Sequence, residues 1–285
     1  TEYGRWLCQH VKRPLKEAFI SMDKVFLIKL FLSFIIGSVW VTGSTVLAER
    51  YGTKIGGIVT GLPSTILFGL FFIAWTQSVR VAVEATEIVP FVGGINSLFL
   101  VVYILLVRYN FWLALAGAIL VWFLLSFVLV FFGINDFKIS IFTYILLFSI
   151  SYYIVEKKLK IKSEMGKDIS FTFSMFLVRG VISGFIIALT VFLTKIGGPL
   201  IGGLFTMFPA MFLGTLLITY FSHGPSFSSA VMKSSMIGAI SVVVYGITAR
   251  FVFIPFGLWL GTIISLVVSY LFAFLIHKTA MGKIA

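Results

Sequence analysis

The stretch "GGIVTGLPSTILFGLFF" occupies Gly56–Phe72, and "GGLFTMFPAMFLGTLLI" occupies Gly202–Ile218. Each opens with Gly-Gly, places Thr four residues after the first Gly, and places Pro seven residues after it. Both lie in apolar runs. Proline there is an interruption, because it lacks the backbone N–H and its ring clashes with the carbonyl one turn earlier. In hydrocarbon a carbonyl freed in this way must find another donor. Matching Gly/Pro interruptions in two halves of a membrane chain point to a transporter binding site. A plain kink, permitted in any membrane helix, is the simpler alternative.

The solvent around these runs follows from composition. The chain has 285 residues, 60% hydrophobic and 11% charged, with mean hydropathy +1.11. A soluble domain carries about 25% charged residues. The expected class is therefore all-α and polytopic, an integral membrane protein. Nine apolar runs are long enough to be spans: Val25–Leu47, Ile55–Thr76, Ile88–Val107, Phe111–Phe132, Ile139–Val155, Phe171–Leu193, Pro199–Phe221, Phe227–Thr248 and Phe251–Ile276. The fifth, at 17 residues, barely crosses.

The gapless match of Gly56–Ser78 to Gly202–Gly224, with "SFIIGS" (Ser33–Ser38) upstream of one and "GFIIAL" (Gly184–Leu189) upstream of the other, divides the chain. Residues 24–134 form a first four-span repeat, 135–170 a connecting span with a Lys-rich loop, 171–278 a second four-span repeat, and 279–285 a tail. An odd connector makes the two repeats face opposite ways, the inverted arrangement of many secondary transporters. If the fifth span does not cross, the repeats are parallel. Basic residues divide almost evenly between the two sides, so the positive-inside rule assigns no orientation.

Residues 1–23 read as a basic amphipathic helix in the interface, with a disordered basic tail as the alternative. Leu7, Val11, Leu15 and Phe19 recur every four residues, with Arg5, Lys12, Arg13 and Lys16 elsewhere. Its expected partners are anionic lipids. The formal net charge of +12 is ascribed to such lipid contacts, and no nucleic-acid motif is present. Cys8 is alone, and His10, His223 and His277 are scattered, so neither a disulfide framework nor a metal site is expected. No cofactor and no catalytic residue is assigned. Acids are few, there is no HExxH, and no Ser or Thr near the breaks has an evident base, so an enzyme is not expected.

The candidate substrate-binding residues are Thr60, Gly61, Pro63, Ser64, Thr206, Pro209, Lys29 and Arg179. The hydroxyls of Thr60, Ser64 and Thr206 can cap freed carbonyls or meet a polar solute. Gly56, Gly57, Gly61, Gly202 and Gly203 permit close backbone approach, and Gly180, Gly184, Gly198 and Gly202 also have helix-packing spacings. Lys29 and Arg179 fall one position apart when the "FII" blocks are aligned. They either snorkel to the interface or form a symmetry-related pair of cations for an anion or a lipid phosphate. Glu84 and Glu87 share a helix face and can relay protons or collect cations, or be interfacial charges, with Arg80 placed to pair with Glu84. Lys233 holds the position equivalent to Glu87.

The second half, with "GGLFTMFPA" (Gly202–Ala210), the polar turn "SHGPS" and Lys233 in "AVMKSS", resembles the GlpM-like family of small four-span bacterial membrane proteins. The first half departs from that pattern, with "GLPS" for Phe-Pro and Glu87 for the basic residue. The resemblance implies a fused, double-length relative in a prokaryotic plasma membrane, with a loose association with exopolysaccharide production. It supplies no site residues. Three functions fit these readings. One is a carrier or flippase-like transporter for a small anion or lipid-linked phosphate. The others are an ion channel and a non-transporting subunit of a membrane complex. A homo-oligomer is compatible with each.

Overall fold

The computed structural model describes residues 23–50, 63–161 and 173–281. The expected interfacial helix, Gly56, Gly57, Thr60, Gly61 and most of the Lys-rich loop lie outside these residues. Among the described residues every regular element is helical. The order is α1 (Lys24–Arg50), α2 (Ser64–Thr76), α3 (Val79–Ala85), a tight turn at Thr86–Ile88, α4 (Val89–Leu106), α5 (Phe111–Phe131), α6 (Phe137–Tyr153) with a wide turn Ile154–Lys158, α7 (Phe173–Thr206), α8 (Ala210–Gly238) and α9 (Ile240–Met281).

Five stretches are long and apolar enough to cross a membrane: Lys24–Gly43, Val79–Leu106, Phe111–Phe131, Phe137–Lys158 and Arg179–Ile276. The fourth gains length over the apolar run read from sequence, because the turn at Ile154–Lys158 continues the helix to 22 residues. At 1.5 Å per residue that is about 33 Å, enough for the hydrocarbon core. The fifth spans 98 residues. As one rod it would be roughly 150 Å long, so its breaks decide the architecture.

Besides the helix ends at Thr206–Ala210 and Gly238–Ile240, those breaks are Gly198 (φ 81°), Gly224 (φ 81°) and Gly257 (φ 72°), each with ψ close to 180°. That conformation is essentially restricted to glycine. Pro199 and Pro225 follow the first two directly, removing the amide that would continue the ladder. Three differences from the sequence reading follow. The tract expected as one span over Phe227–Thr248 is divided by the turn at Ala239 between α8 and α9. The last break falls at Gly257, inside the run expected as the ninth span. The "SHGPS" segment is a one-residue break within α8 rather than a loop.

Local chemistry sets most of the other helix starts. Asp23, Ser78, Asn110 and Asp136 each accept a backbone N–H from the first turn that follows, at 2.7–3.2 Å, the standard use of a short polar side chain at that position. Pro63 and Pro209, which open α2 and α8, offer no such cap. Their backbones match, with φ −74°, ψ 44° and φ −75°, ψ 36°.

The centre of the fold is α4. In the α3–α4 stretch 78% of the apolar window is buried, against 28% in α5 and 17% in α6. In α5 the buried residues Phe111, Ala114, Ala118, Trp122, Ser126 and Leu129 recur at helical spacing, while Phe123, Phe127 and Phe131 face outward. An apolar outer face is what lipid contact requires. On its other side α4 meets α6, where Leu147 lies against Gly94 and Ser140 Oγ accepts the Phe91 amide at 2.9 Å. The α1–α7 crossing is antiparallel. Phe26 lies near Lys195, Phe34 and Gly37 near Gly184, and Thr42 near Gly180. A Cβ at Gly184 would stand 2.6 Å from the Phe34 carbonyl oxygen, so the small residue lets the two backbones touch.

Candidate functional site

The second proline break is built by α7, α8 and the central helix. The last turn of α7 tightens as Met207 N–H donates to the Leu204 carbonyl (3.2 Å) and Phe208 N–H to Phe205 (3.1 Å). Thr206 is buried, and its hydroxyl donates to the Gly203 carbonyl at 2.6 Å. Of the two roles open to this hydroxyl, it takes carbonyl capping. The Met207 carbonyl, left without a helical donor, accepts Asn96 Nδ2–H from α4 at 2.8 Å. Trp122 Nε1–H of α5 donates to Asn96 Oδ1 at 2.9 Å, and the Trp122 and Phe208 rings meet edge to face at 5.0 Å. On this face the Met207 carbonyl, the Asn96 amide and the Trp122 N–H all have partners, and aromatic rings pack beside them. Sequence reasoning passed over Asn96. Its signal was available, since it is the one Asn inside an expected span.

The opposite face is different. Leu213 N–H is the first in α8 to reach back to the Pro209 carbonyl. The amides of Met211 and Phe212 precede it and, as at any helix start, have no intrahelical acceptor. Against this uncapped start lies Arg179 of α7. Only 4% of Arg179 is exposed. Its Cγ lies 3.6 Å from the Cβ position of Gly214. Its Nη2 contacts Met211 Sδ at 3.9 Å, and its Nε is buried without a partner. Ser183 Oγ–H points to the same sulfur at 3.7 Å. No acid pairs with Arg179 among the described residues. The side chain is thus packed among the described helices rather than exposed at their surface. An unpaired buried charge costs on the order of several kcal/mol, and the positive end of the α8 dipole adds to the imbalance. Together the two features leave positive charge at this helix start without a counter-charge among the described residues.

The first break is only half described. Pro63 ends the segment and Ser64 opens α2. Ser64 is 2% exposed and its hydroxyl has no partner. Further along α2, Gly69 packs on Thr206, with its Cβ position 3.6 Å from the Thr206 Cα. The residues after the first break therefore touch the residues before the second. Lys29 does not join them. Its Nζ donates to the Trp75 carbonyl at 2.8 Å and lies 4.9 Å from the Trp75 ring centre, which places it about 16 Å along α2 from Ser64.

The remaining charged candidates mark the two ends of α6. Glu84 pairs with exposed Arg80 at 3.2 Å. Glu87 instead pairs with Arg250 of α9 at 3.3 Å, and that guanidinium covers the ring of Phe137, the first residue of α6. The two carboxylates thus serve separate arginines. Beyond the other end of α6, Glu156 pairs with Lys233 of α8 at 2.6 Å, and Lys233 also donates to the Ile161 carbonyl. The equivalent positions 87 and 233 sit at opposite ends of one helix. An open groove of about 530 Å³ between α3 and α9, lined by Val79, Arg80, Phe253, Ile254 and Gly257, includes none of the break residues.

No curated protein and no solved structure matches the chain. A family model described as a protein of unknown function (DUF3147) matches residues 30–136, from α1 to the residue that caps α6. The match falls on the first half, whereas the GlpM-like resemblance was carried by the second, and nothing links this family to GlpM by name.

Proposed function

We propose that the chain is a membrane carrier, or flippase-like transporter, for a small anion or a lipid-linked phosphate, with its site where the two proline-broken helices meet. The observation that carries this reading is the pair of uncapped helix starts at Pro63 and Pro209, with matched backbones, whose flanking segments touch where Gly69 packs on Thr206. Broken helices whose N-termini point at a shared site suit an anionic substrate.

The reading includes nine spans arranged as two inverted four-span repeats (24–134 and 171–278) around a connecting helix. Three features support it. The aligned helices α1 and α7 cross antiparallel. The equivalent positions Glu87 and Lys233 lie at opposite ends of α6. The family match covers the first unit and stops where α6 begins. In this scheme the ion pairs at the two ends of α6 close the two sides in turn. The bilayer of a prokaryotic plasma membrane, with anionic lipid at the N-terminal segment, is the setting.

Uptake into proteoliposomes tests the proposal. Saturable uptake of formate, phosphate or a phospholipid at low turnover supports a carrier. Large single-channel currents would replace it with a channel. No flux, together with stoichiometric co-purification of another subunit, would make it a scaffold.

A further inference from the structure

We infer that Arg179, Ser183 and the first amides of α8 form a binding site for an oxyanion, a carboxylate or phosphate engaged by two oxygens, and that the Met211 thioether, which now meets those donors, gives way to it. This deepens the carrier proposal and rests on it for the site's role in transport.

The argument starts from the acceptor. A thioether sulfur is a weak acceptor, yet two strong donors converge on Met211 Sδ: Arg179 Nη2 at 3.9 Å and Ser183 Oγ at 3.7 Å. Nε–H and Nη2–H lie along one edge of the guanidinium. The first has no partner and the second has only sulfur. Two oxygens of one anion match such an edge, as in bidentate arginine–carboxylate and arginine–phosphate pairs. The same anion would meet the unpaired amides of Met211 and Phe212 at the positive end of α8. It would also supply the charge that the buried guanidinium lacks. The Met211 side chain is unbranched and flexible, so it can leave without moving the backbone. Chloride offers no pair of oxygens on one centre, so the site discriminates by shape as well as by charge.

The full chain in phosphatidylcholine nanodiscs is titrated with sodium formate, phosphate and chloride, read by calorimetry and by thermal unfolding. Formate or phosphate binding, with chloride at least tenfold weaker, is expected. Arg179→Lys keeps the charge but removes the two-donor edge, and should weaken oxyanion binding by about tenfold or more. Met211→Leu removes the sulfur without touching the donors, and should tighten it. Should Arg179→Lys fail to fold, the Met211→Leu result decides alone. Nanodiscs containing phosphatidic acid separate the sources: protection by that lipid without free-phosphate binding assigns a headgroup, and the reverse assigns a soluble ion. Equal affinity for chloride and formate, or unchanged affinity in either variant, would overturn the inference. Oxyanion binding without uptake would instead retire the carrier proposal and leave the site standing.

Discussion

Lys29 and Arg179 occupy nearly equivalent places in α1 and α7, and the fold treats them oppositely. Lys29 reaches the C-terminal turn of α2, where it donates to the Trp75 carbonyl and lies near the Trp75 ring. A cation at a helix C-terminus meets the negative end of the dipole and an orphan carbonyl. Its charge is therefore already used. Arg179 faces the N-terminal turn of α8, where the dipole is positive and the nearest acceptor is sulfur. Its charge is not used. The two aligned cations thus meet helix ends of opposite polarity, Lys29 a C-terminus and Arg179 an N-terminus.

Substitutions can break this comparison or sharpen it. The largest effect is expected from Arg179→Gln, which should lower oxyanion uptake about 10–100-fold, measured in proteoliposomes with protein amount matched. Equal losses from Arg179→Gln and Lys29→Met would dissolve the distinction between the halves. Next, Asn96→Leu leaves the Met207 carbonyl and Trp122 Nε1 without partners and should cost about 1–3 kcal/mol, visible as reduced thermal stability in detergent. Wild-type stability there would mean that the second break is not held by α4.

Removing both prolines, Pro63→Ala with Pro209→Ala, should disturb uptake more than stability. Between the single changes Pro209→Ala should be the more harmful, because only that break has Arg179 beside it. Normal uptake and unchanged substrate affinity in the double variant would sink the assignment of the site to the breaks. Lys29→Met should cost about 1 kcal/mol of stability and leave the apparent substrate affinity unchanged. The smallest energetic effects belong to Glu87→Gln and Glu156→Gln, since partly exposed ion pairs contribute about 0–1 kcal/mol. Their value is directional: thiol-labelling accessibility should rise at opposite ends of α6 in the two variants. The same end opening in both would contradict inverted repeats.

The parts legible in the sequence are those set within a turn or two of chain. Pro63 and Pro209 interrupt helices because a missing N–H acts on its own neighbourhood, and both positions do begin helices. Asn110 and Asp136 cap because their side chains reach amides two or three residues on. Arg80 pairs with Glu84 one turn away. The glycine breaks at 224 and 257 were less legible. Glycine is common in membrane helices, and a positive φ is not a property of the letter.

The sequence by itself determined a helical chain apolar enough to cross a membrane and interrupted at Pro63 and Pro209, because hydropathy and the proline ring act locally. Tertiary structure alone decided that Asn96 closes the second break from 111 residues away, and that Lys29 is satisfied from 46 residues away while Arg179 is buried against sulfur. Those outcomes depend on which helix end a side chain meets. That is fixed by how the helices cross, at contacts such as Gly184 on Phe34 and Gly69 on Thr206, where removing a Cβ lets distant segments touch.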